Sequence, residues 1–345
     1  MKEERIFCFG RPIIDISATI REEFLREVNI DENLQGEISK EKMENLLRQL
    51  SKKADYVITS AGGVESNVAI NSAILGIPSS IVGTIGNDYL HLIFKDSLGF
   101  IGKLDFSLMP VVFFNSAVIA VIWIIKHSGE KKRIKVLNYG VSEYLPWDTS
   151  IKNSLQSATT IFFTSLFTAN TPQTESKWRE AVRTAKKFDK KVIINLGGID
   201  TIPKDKLREL VDVVKRYAEI IFMNEQEWGL LHKHDNREVC LIFPKTEFIV
   251  ITKGKRGSSI FHQGKEISIV MPKERNLNRT GQVFEIGAGD AFCAGYIFAI
   301  SKGAKMEQAA EFATEVSLIK IKYPESNLAK ARFSDLEGLK SINFQ

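Results

Sequence analysis

Gly287-Ala288-Gly289-Asp290-Ala291-Phe292-Cys293-Ala294-Gly295-Tyr296 decides how the rest of the chain is read. Two glycines and an alanine bring backbone N–H groups together with no side chain in the way. The residues that follow carry a helical pattern, so the glycines fall at a helix N-terminus, where anions and phosphate above all are held. Asp290 falls in the first turn beside that place. A carboxylate there can take a proton from a hydroxyl that attacks a phosphoryl group. A tight turn with Asp as an ordinary helix-start residue is the competing account, and this stretch alone does not choose between them.

Outward from this stretch, apolar β-rich segments alternate with helical patterns. Residues 6–10, 79–83, 160–164, 191–196, 219–223 and 247–252 read as strands. Residues 68–75, 175–188, 204–217, 290–301 and 306–321 read as helices, and 258–261 with 266–270 as a hairpin. Such alternation predicts an α/β fold with a mostly parallel central sheet flanked by helices on both faces. Residues 12–20 and 105–138 break the pattern with β-formers. Within them 111–114, 116–125 and 133–138 suggest antiparallel strands, a β-rich insertion in the α/β frame.

Composition narrows the class of protein. A chain of 345 residues makes one large α/β domain or two smaller ones, and 44% hydrophobic residues supply a sizeable core. The longest apolar run, residues 117–125, is strand-sized, which argues against a membrane span, and no signal peptide is read at the N-terminus. Cys8, Cys240 and Cys293 have no metal-ligand spacing and fit reduced cytosolic thiols, so a cytoplasmic protein is expected. The formal charge of +5 is spread along the chain, which argues against a nucleic-acid partner.

Gly287 to Asp290 resembles the GAGD signature of the PfkB/ribokinase carbohydrate kinase family. A second motif of that family lies far upstream in Ala61-Gly62-Gly63-Val64-Glu65-Ser66-Asn67-Val68-Ala69, followed by Leu75-Gly76 and Gly83-Thr84-Ile85-Gly86-Asn87-Asp88. Two distant motifs in the correct order are more specific than either alone. The opening Gly10-Arg11-Pro12-Ile13-Ile14-Asp15-Ile16 is similar to that of the adenosine-kinase-like branch, and the resemblance runs from residue 7 to about 324. It implies a ribokinase-like fold in a single kinase domain over 1–345. It also implies a small β-sheet lid built from about 12–40 and 104–139.

The resemblance assigns roles to residues that bare chemistry leaves open. Asp15 would accept hydrogen bonds from vicinal sugar hydroxyls, where the alternative is a turn aspartate capping local backbone. Gly62 and Gly63 would let the backbone approach the substrate, with the Asn67 amide reaching a hydroxyl. Asp290 would be the base, and the N–H groups of Gly287, Ala288 and Gly289 would cradle the transferring phosphoryl. Asn224 and Glu227 match the family's N-x-x-E motif. Glu227 would act on Mg²⁺ indirectly, through water, although an acidic helix start explains the pair equally well. Thr252, Gly254 and Gly257 match its T-x-G-x-x-G segment at the ATP site, and Asn195 is a candidate for the same pocket. Lys253, Lys255 or Arg256 could add charge near the phosphates, and Arg133 could reach them from the lid edge.

Departures accompany the match. Arg11 stands where that branch commonly has Asn; it could face solvent, pair with Asp15 or meet a substrate phosphate. Phe284-Glu285-Ile286 replaces a tripeptide that often helps bind an activating monovalent cation, which speaks against such a cation here. Ala313-Thr314-Glu315 departs on the adenine side. The expected activity is ATP- and Mg²⁺-dependent phosphotransfer to a primary hydroxyl. An adenosine-like nucleoside is favoured as acceptor over a ribose- or fructose-type sugar, and the protein is expected to be a monomer or homodimer. The rival reading is a non-catalytic relative that binds ligand or serves as a scaffold. A dinucleotide-dependent oxidoreductase is disfavoured because no G-x-G-x-x-G follows the first strand.

Overall fold

A computed structural model describes residues 3–27, 31–164, 172–199, 202, 204–269, 283–340, 342 and 344. In chain order the strands are β1 (Ile6–Phe9), β2 (Ile13–Arg21), β3 (Gln35–Glu37), β4 (Tyr56–Gly62), β5 (Ser79–Val82), β6 (Ile85–Gly86), β7 (Leu104–Asp105), β8 (Val111–Val112), β9 (Val118–Ile125), β10 (Lys131–Asn138), β11 (Thr160–Thr164), β12 (Lys191–Asn195), β13 (Ile220–Asn224), β14 (Phe248–Thr252), β15 (Ser258–His262) and β16 (Lys265–Ile269). The helices are α1 (Lys40–Lys53), α2 (Val64–Leu75), α3 (Tyr89–Leu98), α4 (Thr149–Ser157), α5 (Pro172–Lys187), α6 (Lys204–Tyr217), α7 (Glu225–His234), α8 (Val239–Ile242), α9 (Ala288–Ser301), α10 (Met306–Lys320) and α11 (Phe333–Lys340).

Every residue of β1 is buried, as expected of a parallel strand covered on both faces. Its alternate side chains enter different cores. Ile6 and Cys8 pack with α2, α9 and α10, and Phe7 and Phe9 with α4, α5 and α6. The large sheet runs β16-β15-β14-β13-β12-β11-β1-β5-β7 among the described residues, parallel except where β15 meets β14 and β16. The chain winds outward from β1 to β7, then returns beside β1 at β11 and winds the other way. Such a reversal opens a crevice at the carboxyl ends of the strands. The fold is ribokinase-like α/β with a largely parallel central sheet and a separate small sheet.

The small sheet runs β3-β10-β9-β2-β4. Its period of two splits the residues cleanly. Ile14, Ile16, Ala18 and Ile20 of β2 join Val118, Ala120, Ile122 and Ile124 of β9 in one apolar face. Met43, Leu46 and Leu50 of α1 belong to the same core. The opposite face turns Ile13, Ile119, Lys135 and Leu137 toward the crevice.

Several local expectations differ from what forms. Residues 111–114 give only the two-residue β8, paired parallel to β6 rather than antiparallel in the small sheet. β7 adds to the edge of the large sheet through β5. β4 pairs with β2 although it lies outside both segments expected to build the lid. The hairpin forms as β15 and β16, and Val270 lies outside the described residues. No helix among the described residues is long and apolar enough to cross a membrane.

Candidate active site

A cleft of about 700 Å³ opens where the strand order reverses. Arg11 follows β1, while Thr164, Asn195, Asn224 and Thr252 stand at the carboxyl ends of β11, β12, β13 and β14, and all five line the cleft. Ile13, Ile119, Lys135 and Leu137 of the small sheet line it too, and the start of α9 closes it with Gly287, Gly289 and Asp290. A groove of about 870 Å³ between α1 and the start of α3 is larger, but none of these groups lines it.

Gly287 enters α9 with φ 76°, a left-handed value that favours glycine. A Cβ there would lie 1.7 Å from the Ser326 carbonyl oxygen, so the loop must press against residue 326. Gly289 has open space where a Cβ would be. The Ala288 N–H donates to the Glu285 carbonyl at 3.1 Å, which turns that amide back into its own loop. The expected cradle therefore reduces to Gly287 and Gly289 at the cleft wall, with the unpaired N–H groups of a helix first turn behind them.

Asn67, on α2, is held between two sets of partners. Its Oδ1 accepts from Ser326 Oγ at 3.2 Å and from Asn327 Nδ2 at 3.1 Å, and its Nδ2 donates to Asp290 Oδ2 at 2.8 Å. Ser326 Oγ and Asn327 Nδ2 also donate to the Ala61 carbonyl, at 3.0 and 2.8 Å. The buried amide orientation is thus fixed from below, with its donor end on the carboxylate. Neither Ser326 nor Asn327 was legible as a site residue, because each reads as an ordinary turn residue.

Three carboxylates crowd this point. Burial pushes Asp290 up to about 7, the charges of Asp15 and Glu65 push the same way, and the Asn67 hydrogen bond and the charge of Lys320 oppose them. Burial also pushes up Asp15, against hydrogen bonds from Ser326, Asn67 and the Gly63 N–H and the charge of Lys135. A Cβ on Gly62 would sit 2.0 Å from Asp15 Oδ2, which explains the glycine. Glu65 is 3% exposed, and its Oε1 accepts from the Thr164 N–H at 3.3 Å and from the Thr164 hydroxyl. Burial raises its pKa, and the Thr164 hydrogen bonds and the Arg11 charge resist. Arg11 lies over the Tyr139 ring at 4.8 Å to the centroid and acts on Glu65 rather than standing free in solvent.

On the other side of the cleft, Asn224 and Glu227 form a capping box. Glu227 N donates to Asn224 Oδ1 at 2.9 Å, and Asn224 N donates to Glu227 Oε2 at 2.7 Å. Both nevertheless line the cleft. Asn195 donates from Nδ2 to Cys293 Sγ at 3.4 Å and accepts the Gly197 N–H at 2.7 Å. Gly254 and Gly257 shape the turn after β14 with φ 55° and 89° but are not on the cleft wall. The expected extra cations are occupied or displaced. Lys253 is 3.6 Å from Glu266, Arg256 pairs with Glu225, and Arg133 is exposed. Lys135 lines the cleft where Arg133 does not.

The pfkB family carbohydrate kinase model matches residues 40–331. The chain belongs to this family. A nucleoside kinase of Methanocaldococcus jannaschii is 22% identical over 248 residues, covering 72% of this chain and 74% of that one. An ATP-dependent 6-phosphofructokinase of Thermoanaerobacterium thermosaccharolyticum is 21% identical over 286 residues, 81% of this chain and 84% of that one. Adenosine kinase from Sinorhizobium meliloti has a similar structure, with a TM-score of 0.76, 19% identity and 98% of both chains covered. The family predicted from the two glycine motifs is therefore the family found, and the kinase class follows from it.

Proposed function

We propose that this pfkB family member transfers the terminal phosphoryl group of ATP to a primary hydroxyl of a nucleoside or sugar, with an adenosine-like nucleoside favoured. One observation carries the reading most. Asp290, held by Asn67 and raised to about 7, stands at a helix N-terminus in the same cleft as the strand-end side chains Asn195, Asn224 and Thr252. The nucleoside preference draws on the apolar wall of Ile13, Ile119 and Leu137 beside Tyr139, which suits a flat base better than a bare sugar. The relatives with nucleoside and adenosine kinase names point the same way.

Asp15 and the Gly62–Gly63 backbone orient the acceptor, and Asn67 aligns the carboxylate of Asp290. The hydroxyl proton passes to the Asp290 oxygen that Asn67 does not hold. Gly287, Gly289 and the first turn of α9 receive the negative charge of the transferring group. Asn195, Asn224 and Thr252 position the nucleotide. Glu227 fits an outer-sphere magnesium role, because one carboxylate on the cleft wall suits an ion that keeps its waters. Among the described residues no group of three or more His, Cys, Asp or Glu could form a protein cage for a metal. ATP would supply the phosphoryl group, and Mg²⁺ bound with it would neutralise the phosphate oxygens. The small sheet over the cleft excludes water that would otherwise accept the phosphoryl.

The test is ADP release across nucleosides, pentoses, hexoses and sugar phosphates, with ligand binding followed in parallel by thermal shift. ADP release with a nucleoside supports the reading. Release only with a sugar or sugar phosphate corrects the acceptor. Binding without ADP release from any acceptor sinks phosphotransfer and leaves a ligand-binding or scaffold protein.

A further inference from the structure

Lys320 is the last residue of α10 and is 0% exposed. A buried ammonium is costly unless charge and hydrogen bonds compensate it. Its Nζ donates to the Phe284 carbonyl at 3.0 Å and to the Tyr323 carbonyl at 3.4 Å. Phe284 lies three residues before Gly287, so the ammonium grips the stem of the glycine loop. The same helix end makes further contacts with that stem. The Phe284 N–H donates to the Ile321 carbonyl at 2.9 Å, and the Ser317 hydroxyl donates to the Ala288 carbonyl. Ser326, just beyond, presses against Gly287.

Neutral residues would suffice to hold a loop. The charge has another object: Lys320 acts on Asp290, and Asp290 and Asp15 both act on Lys320. We infer that Lys320 is a positioning residue for phosphoryl transfer, a resident cation that pins the loop preceding Gly287 and offsets the charge on Asp290. The inference rests on the phosphotransfer reading of the cleft. It makes α10 part of the catalytic apparatus without any contact to substrate.

The groups acting on Asp290 are Asp15 from β2, Glu65 and Asn67 from α2, and Lys320 from α10. Those acting on Lys320 are Asp290, Asp15 and Glu325. Burial lowers Lys320 to about 8, while the three carboxylates hold it up. Loss of its charge removes an attraction for the ionised form of Asp290, so the pKa of Asp290 must rise.

Lys320→Met and Lys320→Arg are compared with the wild type in ADP-release pH profiles and in melting temperature. The expected result for Lys320→Met is a fall in kcat of about 100-fold with little change in acceptor KM, the scale of loss from a misplaced site. Its acid limb moves to higher pH by about one unit, while Lys320→Arg keeps the limb near the wild-type position. A Lys320→Met enzyme with wild-type kcat and an unmoved limb overturns the inference. Lack of ADP release by the wild type is instead a failure of the phosphotransfer reading. A melting-temperature double-mutant cycle of Lys320→Met with Asp290→Asn then decides the charge coupling without turnover: additivity within error refutes it, and a smaller cost of Lys320→Met in the Asn background supports it.

Discussion

Asp290→Asn should abolish most turnover and yet make the protein more stable at pH 8. The side chain is nearly isosteric and can still accept the Asn67 hydrogen bond, now 2.8 Å long. What disappears is a charge that burial and two neighbouring carboxylates disfavour. The folded-state pKa is raised from 3.8 to about 7, so the native state binds the proton more tightly than the unfolded chain does. Stability from this group is complete below about pH 4 and is lost as pH rises through about 7. Across that interval the upper limit is ~4 kcal/mol, at ~1.4 kcal/mol per pH unit. Water reaching the half-buried carboxyl cuts this to ~2 kcal/mol. A 345-residue chain has an unfolding entropy on the order of 0.7 kcal/mol/K, so the variant should melt ~3 °C higher at pH 8. The gain should vanish near pH 4, and ADP release should fall ~10²–10⁴-fold, the usual range for loss of a general base. The assays are melting curves from pH 4 to 8.5 beside ADP release. An equal or lower melting temperature at pH 8, or a gain that does not depend on pH, would refute the electrostatic argument. Near-wild-type turnover would remove Asp290 as the base.

Asn67→Ala removes the donor on Asp290, so the acid limb of the rate profile should move to higher pH by about one unit, an outcome checked by ADP release from pH 5.5 to 9. Gly287→Ala should unfold or strongly destabilise the protein, since its Cβ would meet the Ser326 carbonyl at 1.7 Å and φ is 76°. Gly289→Ala should melt near the wild type, having nothing within 4 Å, but lose ADP release at least ~10-fold because its methyl enters the anion cradle. The reverse ranking in melting temperature would refute the packing argument. Glu227→Gln keeps an acceptor for the Asn224 N–H, so stability should hold within ~0.5 kcal/mol while half-maximal Mg²⁺ rises ~10-fold. An unchanged Mg²⁺ dependence would leave Glu227 as a helix cap alone.

The central strands were legible because a parallel strand covered on both faces must be largely apolar, as in Ile6–Phe9 and the Ile-Phe-Phe centre of Thr160–Thr164. Asn224 and Thr252 are picked out by their resemblance to the family's motifs after such runs, and Asn195 as the polar end of another strand. α1 was missed because Met43, Leu46 and Leu50 are sparse apolar points in a charged stretch, and their target is a sheet assembled from distant strands. Arg133 and Lys135 share one face of β10 by alternation. Only the register of the finished sheet brings Lys135, one pleat further along, to the cleft. Lys320 offered no signal, since a lysine at a helix C-terminus ordinarily faces water and favours the dipole there.

Glu65 and Asp290 line the cleft while Asp15 acts on Asp290 from β2, and the surroundings of the three carboxylates separate their tasks. Glu65 has one oxygen committed to both donors of Thr164, and that side chain occupies the space a Cβ on Gly10 would need, with Glu65 Cδ 2.0 Å away. It is wedged in place as a partner for Arg11. Asp15 rides on the small sheet with Gly62 at its back, so its position follows any movement of that sheet over the cleft. Asp290 alone joins the cleft wall to a helix N-terminus and titrates near 7, where a base both gains and releases a proton readily. Moving the burial from Asp290 to Asp15 would leave the same count of charges but put the raised carboxyl on the small sheet, away from the glycine loop. The arrangement therefore favours one order of events. On the proposed phosphotransfer, the acceptor would meet a carboxylate already held by Asn67, so the hydroxyl and the phosphoryl group would come together only once both are bound.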